Sequence, residues 1–239
     1  MLDKNKVNGV VGLEVHKHLY ELGVETPMKV PRIMLPGGEL VKVERGSESQ
    51  RMEIENLYRR IMIAQGLDLA DDSLTETPKR VSKVLTKEKF YGLDYDNFPK
   101  CTTVINKTPE DSDLVTIRAI ELNSLCEHHY EAIIGKVRIG YIPGKNILGL
   151  SKFNRIVDFF ARRPQIQERL TKQIFYALQF ILGTDDIAVI VDAEHMCVKT
   201  RGVMDSCSDT VTSKMGGKFK SDSTLRAEFY AAINLPKNN

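Results

Sequence analysis

The sequence of 239 residues lacks both an excess of one charge and a long apolar run. Lysine and arginine number 34 against 32 aspartates and glutamates, so the formal net charge at pH 7 is only +2. This near balance does not indicate the basic surface of a nucleic-acid-binding protein. No run of apolar residues approaches the roughly 18 that a membrane-spanning helix needs. We therefore expect neither a nucleic acid nor a membrane as a partner.

The N-terminal segment also lacks the apolar core and cleavage site of a secretory signal peptide: MLDKNKVNGVVGLEVHKHLYEL. We therefore expect a cytoplasmic location. Cysteines are few, four in all, and in a cytoplasmic chain they indicate metal ligation or catalysis before disulfides. With 42% hydrophobic and 28% charged residues, the composition is that of an ordinary globular protein.

No internal repeat divides the chain, but its pattern changes along its length. Prolines and a Gly-Gly pair interrupt residues 31–48, so residues 1–30 are predicted to form an appended arm. An apolar stripe with imperfect helical spacing is expected in that arm: Val10, Leu13, Leu19 and Leu22. Helical patterns continue to about residue 95. We predict an N-terminal arm and helical region over residues 1–95 and a second domain over residues 96–239.

The second domain is predicted to be α+β. Alternating β-branched residues indicate strands over residues 101–106, 114–121 and 131–142. Two amphipathic helices follow, beginning at Ser151 and Pro164, and IAVIVDAEHMCVKT indicates a further strand before a last helical pattern. The order β-β-β-α-α-β favours an α+β fold with a largely antiparallel sheet.

Two short motifs combine cysteine and histidine. In the Cys-Glu-His-His motif at 126–129, Cys126 and His129 can converge on one metal ion in a turn. His195 and Cys197 alternate along the last predicted strand, so their side chains are expected on one face. A Cys-x-x-His pair alone is weak evidence, because isolated cysteines often serve as small core residues. The two motifs together favour a metal site.

Zinc fits these donors, since it prefers thiolate and imidazole ligands in tetrahedral geometry. Cys126, His129 and Cys197 would supply three ligands and leave a fourth position for water, as in catalytic rather than structural zinc sites. His128 and His195 then remain as nearby proton carriers, because a free imidazole titrates near ~6.5.

The predicted helix at Ser151 begins with basic residues. Ser151, Lys152 and Arg155 lie around its first turn, where unpaired N–H groups and the helix dipole attract anions. Three further basic residues could help to bind a polyphosphate: Lys199, Arg201 and Arg80. A solvated face of an amphipathic helix is the alternative. No Walker-type Gly-x-x-x-x-Gly-Lys motif is present, so side chains and helix ends would bind any triphosphate.

Glu168 lies near the start of the next predicted helix. Its carboxylate could accept two hydrogen bonds from an amidine-like edge such as that of guanine. A glutamate in a first helical turn is also favoured by the helix dipole alone. Both interpretations stay open on the residues.

Taken together, these residues resemble the GTP cyclohydrolase I family. The resemblance rests on three stretches: SLCEHHYEAIIGKVRIGYIPG, ILGLSKFNRIVDFFARRPQIQERLTKQI and VDAEHMCVKTRG. It extends upstream through LADDSLTETPKRVSK and YGLDYDNFPK and covers roughly residues 65–235 closely. Residues 31–50 depart from the family pattern, but they contain none of the candidate site residues.

The resemblance implies a role for each candidate residue. Cys126, His129 and Cys197 match the family's zinc ligands. The catalytic residues it implies are His128, His195 and Ser151, the last as a proton relay near the ribose. The residues it implies for guanine are Glu168 and Gln167. The residues it implies for the triphosphate are Lys152, Arg155, Arg201 and Arg80, the last from a neighbouring subunit.

The resemblance also implies a fold, an assembly and a reaction. The fold is the tunnelling fold, in which antiparallel sheets from several subunits join into a barrel with helices outside it. Family members form homodecamers of two pentamers with shared active sites and one zinc ion per subunit. Their reaction, a hydrolysis of a cyclic amidine, converts GTP and water into formate and 7,8-dihydroneopterin triphosphate.

Two alternatives remain to be compared. A structural zinc module would need a fourth protein ligand and a basic surface. Another tunnelling-fold enzyme acting on pterins or deazapurines would need different residues: three histidine ligands in a pyruvoyl-tetrahydropterin synthase, or a nucleophilic cysteine in a nitrile reductase. Neither alternative suits a Cys-His-Cys set beside a triphosphate cluster.

Overall fold

The computed structural model describes residues 8–236, which divide into two units. One unit joins the residues up to Thr26 with those from Tyr95 onward, and the other consists of Pro27–Asp94. The first helix, α1 (Asn8–Glu21), therefore groups with the C-terminal part of the chain. The domain boundary expected between residues 95 and 96 stays a prediction. It assigns α1 to the same domain as the helices that follow, whereas α1 groups here with the C-terminal residues.

The unit of residues 27–94 contains a hairpin and two longer helical segments. Its elements are β1 (Arg32–Met34), β2 (Leu40–Lys42), α2 (Glu48–Ala64), α3 (Thr77–Lys83) and a π-helical turn (Val84–Glu88). The Ser47 side chain caps α2 by accepting a hydrogen bond from the Gln50 N–H. The hairpin lies within residues 31–48, where the sequence indicated only a linker. It could not be predicted, because strands of three residues are too short to show alternation.

The other unit is built on a five-stranded sheet. The strands of this unit are β3 (Thr103–Ile105), β4 (Val115–Cys126), β5 (Ala132–Tyr141), β6 (Asn146–Leu148), β7 (Pro164–Gln165), β8 (Ile187–His195) and β9 (Thr210–Met215). The sheet order is β7-β4-β5-β8-β9, and every neighbouring pair except β4–β7 is antiparallel. Strands β3 and β6 form a separate antiparallel pair. The predicted α+β class with a largely antiparallel sheet is confirmed.

Helices cover both faces of this sheet. The helices of this unit are α4 (Leu150–Ala161), α5 (Gln167–Leu182), α6 (Met196–Lys199), α7 (Gly217–Ser221) and α8 (Ser223–Asn234), with single 3-10 turns at Tyr95–Asn97 and Pro109–Asp111. A further 3-10 turn, Tyr91–Leu93, belongs to the unit of residues 27–94. α4 packs on β4 and α5 packs on β8 and β9. On the opposite face, Phe219 and Phe229 pack with Ala188 and Ile190 of β8. Residues 187–191 are consequently all buried.

The two predicted amphipathic helices, α4 and α5, each bury one face, whereas the stripe predicted for α1 is only partly confirmed. In α1, Val11, Val15 and Leu19 are buried and Leu13 is exposed. Leu22, which follows the helix, is also exposed, and the side chain of Val10 lies outside the described residues. The buried set repeats every four residues, which is the regular helical spacing. This face packs against α5 and the turn at Tyr95–Asn97.

Strands β5 and β8 approach closely near the end of β8, which carries His195. A Cβ atom on Gly135 would lie 2.1 Å from the Asp192 carbonyl oxygen and 2.6 Å from the Ala193 Cα atom. Only glycine allows this approach. Two residues earlier, Ile133 pairs with His195, the last residue of β8. In the described part of the chain, no helix combines the length and apolarity needed to cross a bilayer.

Candidate metal centre and substrate-binding residues

The three predicted metal ligands converge. Cys126 is the last residue of β4, His129 lies in the turn after it, and Cys197 lies in α6. One ligand atom from each residue lies within 4.8 Å of the other two. Two thiols and an imidazole are donors that zinc prefers, and three of them leave a coordination position open. Among the described residues, no other set of three such side chains is placed to hold a metal ion.

Cys197 reaches this cluster by a different route from the predicted one. β8 ends at His195, and Cys197 lies in the helical turn α6, so the expectation that both share one strand face is wrong. The pKa of the Cys197 thiol is raised by its burial and, further, by a hydrogen bond and charge repulsion from Cys126. A metal ion would offset these effects, because it stabilises the thiolate form.

The turn after β4 presents its side chains through a tight backbone geometry. The Tyr130 N–H donates to the Cys126 carbonyl at 2.9 Å, and Tyr130 has a φ of 57°. The Cys126 N–H donates to the Glu131 carbonyl at 2.8 Å, which closes the turn onto β5. Within it, His128 Nδ1 lies 3.8 Å from Cys126 Sγ. His128, a predicted catalytic residue, is therefore adjacent to the metal ligands.

An arginine from α5 fixes the same turn. The Arg169 guanidinium pairs with the Glu127 carboxylate, and Arg169 Nε donates to Gln165 Oε1 at 3.2 Å. The other Glu127 oxygen lies 3.8 Å from His128 Nε2. Neither Glu127 nor Arg169 was among the predicted site residues. The pair could not be found from the sequence, because the two residues are 42 positions apart and follow no common motif.

His195, the second predicted catalytic histidine, lies at the end of β8. Its Nε2 atom lies 2.7 Å from Gln167 Oε1. Burial lowers the pKa of His195, whereas the negative charge of Glu168 acts to raise it. The predicted guanine-binding Glu168 is itself exposed, so its carboxylate is accessible to a ligand.

Gln167 occupies a different environment from Glu168. Its side chain is buried, and Nε2 donates to the carbonyl oxygens of Val191 on β8 and Thr210 on β9 and lies 3.2 Å from Thr212 Oγ1. These contacts, together with the contact to His195, use both ends of the amide. The side chain therefore lies beneath the site rather than at its surface.

Arg201, predicted to bind phosphate, lies beside a metal ligand. Its Nη1 atom is 2.7 Å from His129 Nε2, and the Arg201 side chain is exposed. The guanidinium is thus a cation within reach of both the metal cluster and solvent. The structure brings Arg201 together with Cys126, His129 and Cys197.

The remaining predicted phosphate-binding residues form no contact with that cluster in the described part of the chain. Ser151, Lys152 and Arg155 lie in the first two turns of α4, and their side chains make no hydrogen bond or ion pair with any described residue. Arg80 is exposed on α3, in the unit of residues 27–94. Their roles stay predictions.

The fold and the site together define an α+β protein with a candidate Cys–His–Cys metal centre beside two histidines. Residues 54–234 match the family model described as GTP cyclohydrolase I. The GTP cyclohydrolase 1 of Yersinia enterocolitica is 47% identical over 219 residues, which cover 92% of this chain and 94% of the relative. The GTP cyclohydrolase 1 of Shewanella loihica is 51% identical over 216 residues, or 90% and 95% of the two chains.

The chain therefore belongs to the GTP cyclohydrolase I family. The resemblance stated from the sequence is confirmed. The match extends over the turn after β4, α4, α5 and the end of β8. It begins at Ile54, so the hairpin of residues 32–42 lies outside it.

Proposed function

We propose that this chain is a zinc-dependent GTP cyclohydrolase I. It opens the imidazole ring of guanine in GTP by hydrolysis, releases formate and forms 7,8-dihydroneopterin triphosphate. The observation that carries this proposal is the convergence of Cys126, His129 and Cys197 within 4.8 Å, in a chain whose relatives have that name.

Cys126, His129 and Cys197 would hold one zinc ion per subunit. Their donor chemistry supports zinc over the harder cations, which prefer oxygen ligands. When bound, zinc acts as a Lewis acid that makes a hydrolytic nucleophile available at neutral pH. A structural zinc site would need a fourth protein ligand, and the described residues contribute three to this cluster.

The two histidines move protons around the guanine ring. Water adds at C8, a poor electrophile, and protonation of N7 makes this addition easier. We assign that proton to His128 or His195, and the other histidine then serves the second hydrolysis, in which the formamide is cleaved and formate leaves. Ser151 relays a proton near the ribose during the rearrangement that follows. Burial lowers the pKa of His195, whereas the charge of Glu168 opposes that shift.

Charged side chains orient the substrate. Glu168 accepts two hydrogen bonds from the N1–H and 2-amino group of guanine, and its exposure supports this role. The cations assigned to the triphosphate are Lys152, Arg155, Arg201 and Arg80. Ser151 and Lys152 lie in the first turn of α4, where the helix dipole favours an anion. Held at both ends, the substrate would present C8 to the metal centre.

The assembly belongs to the same proposal. The subunits form a homodecamer of two pentamers with the tunnelling fold, and Arg80 enters the site of a neighbouring subunit. Two observations support shared sites. Arg80 lies in a different unit from the other site residues, and the side chains of Ser151, Lys152 and Arg155 make no hydrogen bond or ion pair with any described residue.

Incubation of the purified, zinc-loaded protein with GTP tests the proposal. We expect one formate per GTP, measured with formate dehydrogenase, and a product that becomes a fluorescent pterin on oxidation. Formate release from GTP separates this activity from the other tunnelling-fold enzymes, which act on pterins or deazapurines. A metal-loaded protein that releases no formate from GTP would contradict the proposal.

A further inference from the structure

The Gln167 side chain lies at the first position of α5, with 1% of its surface exposed. Its Nε2 atom donates to the carbonyl oxygens of Val191 at 3.1 Å and Thr210 at 2.8 Å. It also lies 3.2 Å from Thr212 Oγ1. Its Oε1 atom lies 2.7 Å from His195 Nε2. The amide thus joins α5, β8, β9 and a predicted catalytic histidine.

These partners fix which way the amide points. The Val191 and Thr210 carbonyl oxygens can only accept hydrogen bonds, so they must face the NH₂ group of Gln167. Rotation of the amide by 180° would place its oxygen against both carbonyls and lose these bonds. Oε1 therefore faces His195, and the assignment of oxygen and nitrogen follows from the network.

Two threonine hydroxyls complete the network. Thr171 Oγ1 donates to the main-chain carbonyl oxygen of Gln167 at 2.8 Å and lies 2.6 Å from Thr212 Oγ1. Because the Thr171 proton is used in the first bond, the Thr212 hydroxyl donates to Thr171. The lone pairs of Thr212 Oγ1 then face Gln167 Nε2 at 3.2 Å. The two hydroxyls thus link the main chain at the start of α5 to β9, beside the Gln167 amide.

The orientation of Gln167 determines the protonation of His195. An amide oxygen accepts and does not donate, so His195 Nε2 carries a proton. In the neutral ring, Nδ1 is then the atom with the free lone pair. The hydrogen bond at Nε2 also fixes the plane of the ring at the end of β8.

We propose that Gln167 is a positioning residue that holds His195 in the tautomer with Nε2 protonated, so that Nδ1 exchanges protons with the substrate. This inference rests on the proposed function, in which His195 is an acid–base group. It replaces the expected contact of the Gln167 side chain with guanine, because both ends of that amide are already bonded within the protein.

Gln167→Met tests the proposal, because it keeps the length of the side chain and removes both ends of the amide. We expect kcat for formate release to fall by ~100-fold, the range of acid–base catalysis. The KM for GTP, the dissociation constant of GTP measured by calorimetry, and the zinc content should each stay within about twofold, since Gln167 contacts neither substrate nor metal. Weaker GTP binding by tenfold or more with kcat retained would overturn the proposal, because it would mean that Gln167 binds the base.

A double-mutant cycle separates positioning from a general structural effect. If Gln167 acts through His195, Gln167→Met should change kcat less than about twofold in a His195→Ala background. Additive losses would overturn the proposal. Thr212→Val is the matched control, because it removes the hydroxyl that lies 3.2 Å from Gln167 Nε2 and leaves the contact with His195. We expect it to lower kcat by less than about threefold, and a loss equal to that of Gln167→Met would contradict the assignment.

A spectroscopic measurement on the unmutated protein stands apart from activity and from folding of the variants. In protein labelled with ¹⁵N-histidine, the His195 signals are assigned by their loss in His195→Ala. We expect a protonated, pyrrole-type shift at Nε2 and a pyridine-type shift at Nδ1. The opposite pattern would overturn the proposal. If the protein released no formate from GTP, the proposed function would fail while this pattern could still be observed.

Discussion

Arg163 Nη1 donates a hydrogen bond to Glu25 Oε1 at 2.9 Å, across 138 residues of sequence. The side chains are 0% and 5% exposed, respectively. The guanidinium also lies over the rings of Tyr95, Phe159 and Phe160, at 4.8 to 5.3 Å from their centroids. A buried ion pair, whose guanidinium lies against three aromatic rings, thus joins the segment after α1 to the residues that follow α4.

Removal of one partner of this pair should strongly destabilise the protein. In Arg163→Met, the Glu25 carboxylate stays buried without its cation, and a cost of about 3–5 kcal/mol in the free energy of unfolding is expected. Urea denaturation at a fixed protein concentration measures it. Arg162→Met is the matched control, because the neighbouring Arg162 pairs with the partly exposed Asp158 and should contribute less than about 1 kcal/mol. Equal losses in the two variants would contradict the role of the buried pair.

The metal centre leads to a second prediction. Cys197→Ala removes one of three ligands, so zinc should fall from about one ion per subunit to near zero, together with formate release. Mass spectrometry of the dialysed protein measures the metal. Cys207→Ala, at an exposed cysteine outside the cluster, should keep both. Retention of stoichiometric zinc in Cys197→Ala would show that the ligand assignment is wrong.

Much of the fold around this site could be predicted, because α4 and α5 each bury one face. Phe153 and Ile156 of α4 and Leu170 and Ile174 of α5 are all buried, as their helical spacing indicates. Helical spacing does not identify the buried face of α1, because its apolar residues occur on more than one side of the helix. Packing against α5 and the turn at Tyr95–Asn97 decides that Val15 is buried and other apolar residues of α1 are not.

The identity of the candidate ligands could also be predicted, but their placement could not. A pattern of alternate residues cannot show that β8 ends at His195 and that Cys197 follows in a helical turn. The contact between Gln167 and His195 spans 28 positions and depends on how α5 begins beside β9. Strand β9 itself was missed, because four of its six residues are polar and show no apolar alternation.

Glu168 should determine the preference for guanine. Inosine triphosphate lacks the 2-amino group, so the wild-type protein should bind it about 10- to 100-fold more weakly than GTP, the value of a hydrogen bond to a charged acceptor. Glu168→Gln should reduce this preference to less than about threefold, with weaker binding of GTP. Comparison of kcat/KM for the two nucleotides measures it. In Glu121→Gln, a control at an exposed strand position, the preference should be unchanged. If Glu168→Gln keeps the full preference, another residue binds the amino group.

Cys101 should resist alkylation in the folded protein. Burial raises the pKa of its thiol to about 12, even though Lys152 acts to lower it. At pH 8 the reactive thiolate is then only ~10⁻⁴ of the total, and labelling should increase about tenfold for each unit of pH above that. Peptide mass spectrometry after iodoacetamide treatment should show exposed Cys207 labelled first. Rapid labelling of Cys101 at pH 8 would contradict the predicted direction.

Sharing of active sites between subunits can be tested with two inactive variants. If Arg80 acts in the site of a neighbouring subunit, Arg80→Ala and Glu168→Ala should each have little activity alone. Hybrids formed by co-expression should recover about one quarter of the wild-type activity, because random mixing in a symmetric ring leaves that fraction of sites with both residues. Lys152→Ala with Glu168→Ala is the matched control, since these residues are assigned to the same subunit and no hybrid site would contain both. Recovery in the control, or none in the first pair, would contradict the assignment of Arg80 to a neighbouring subunit.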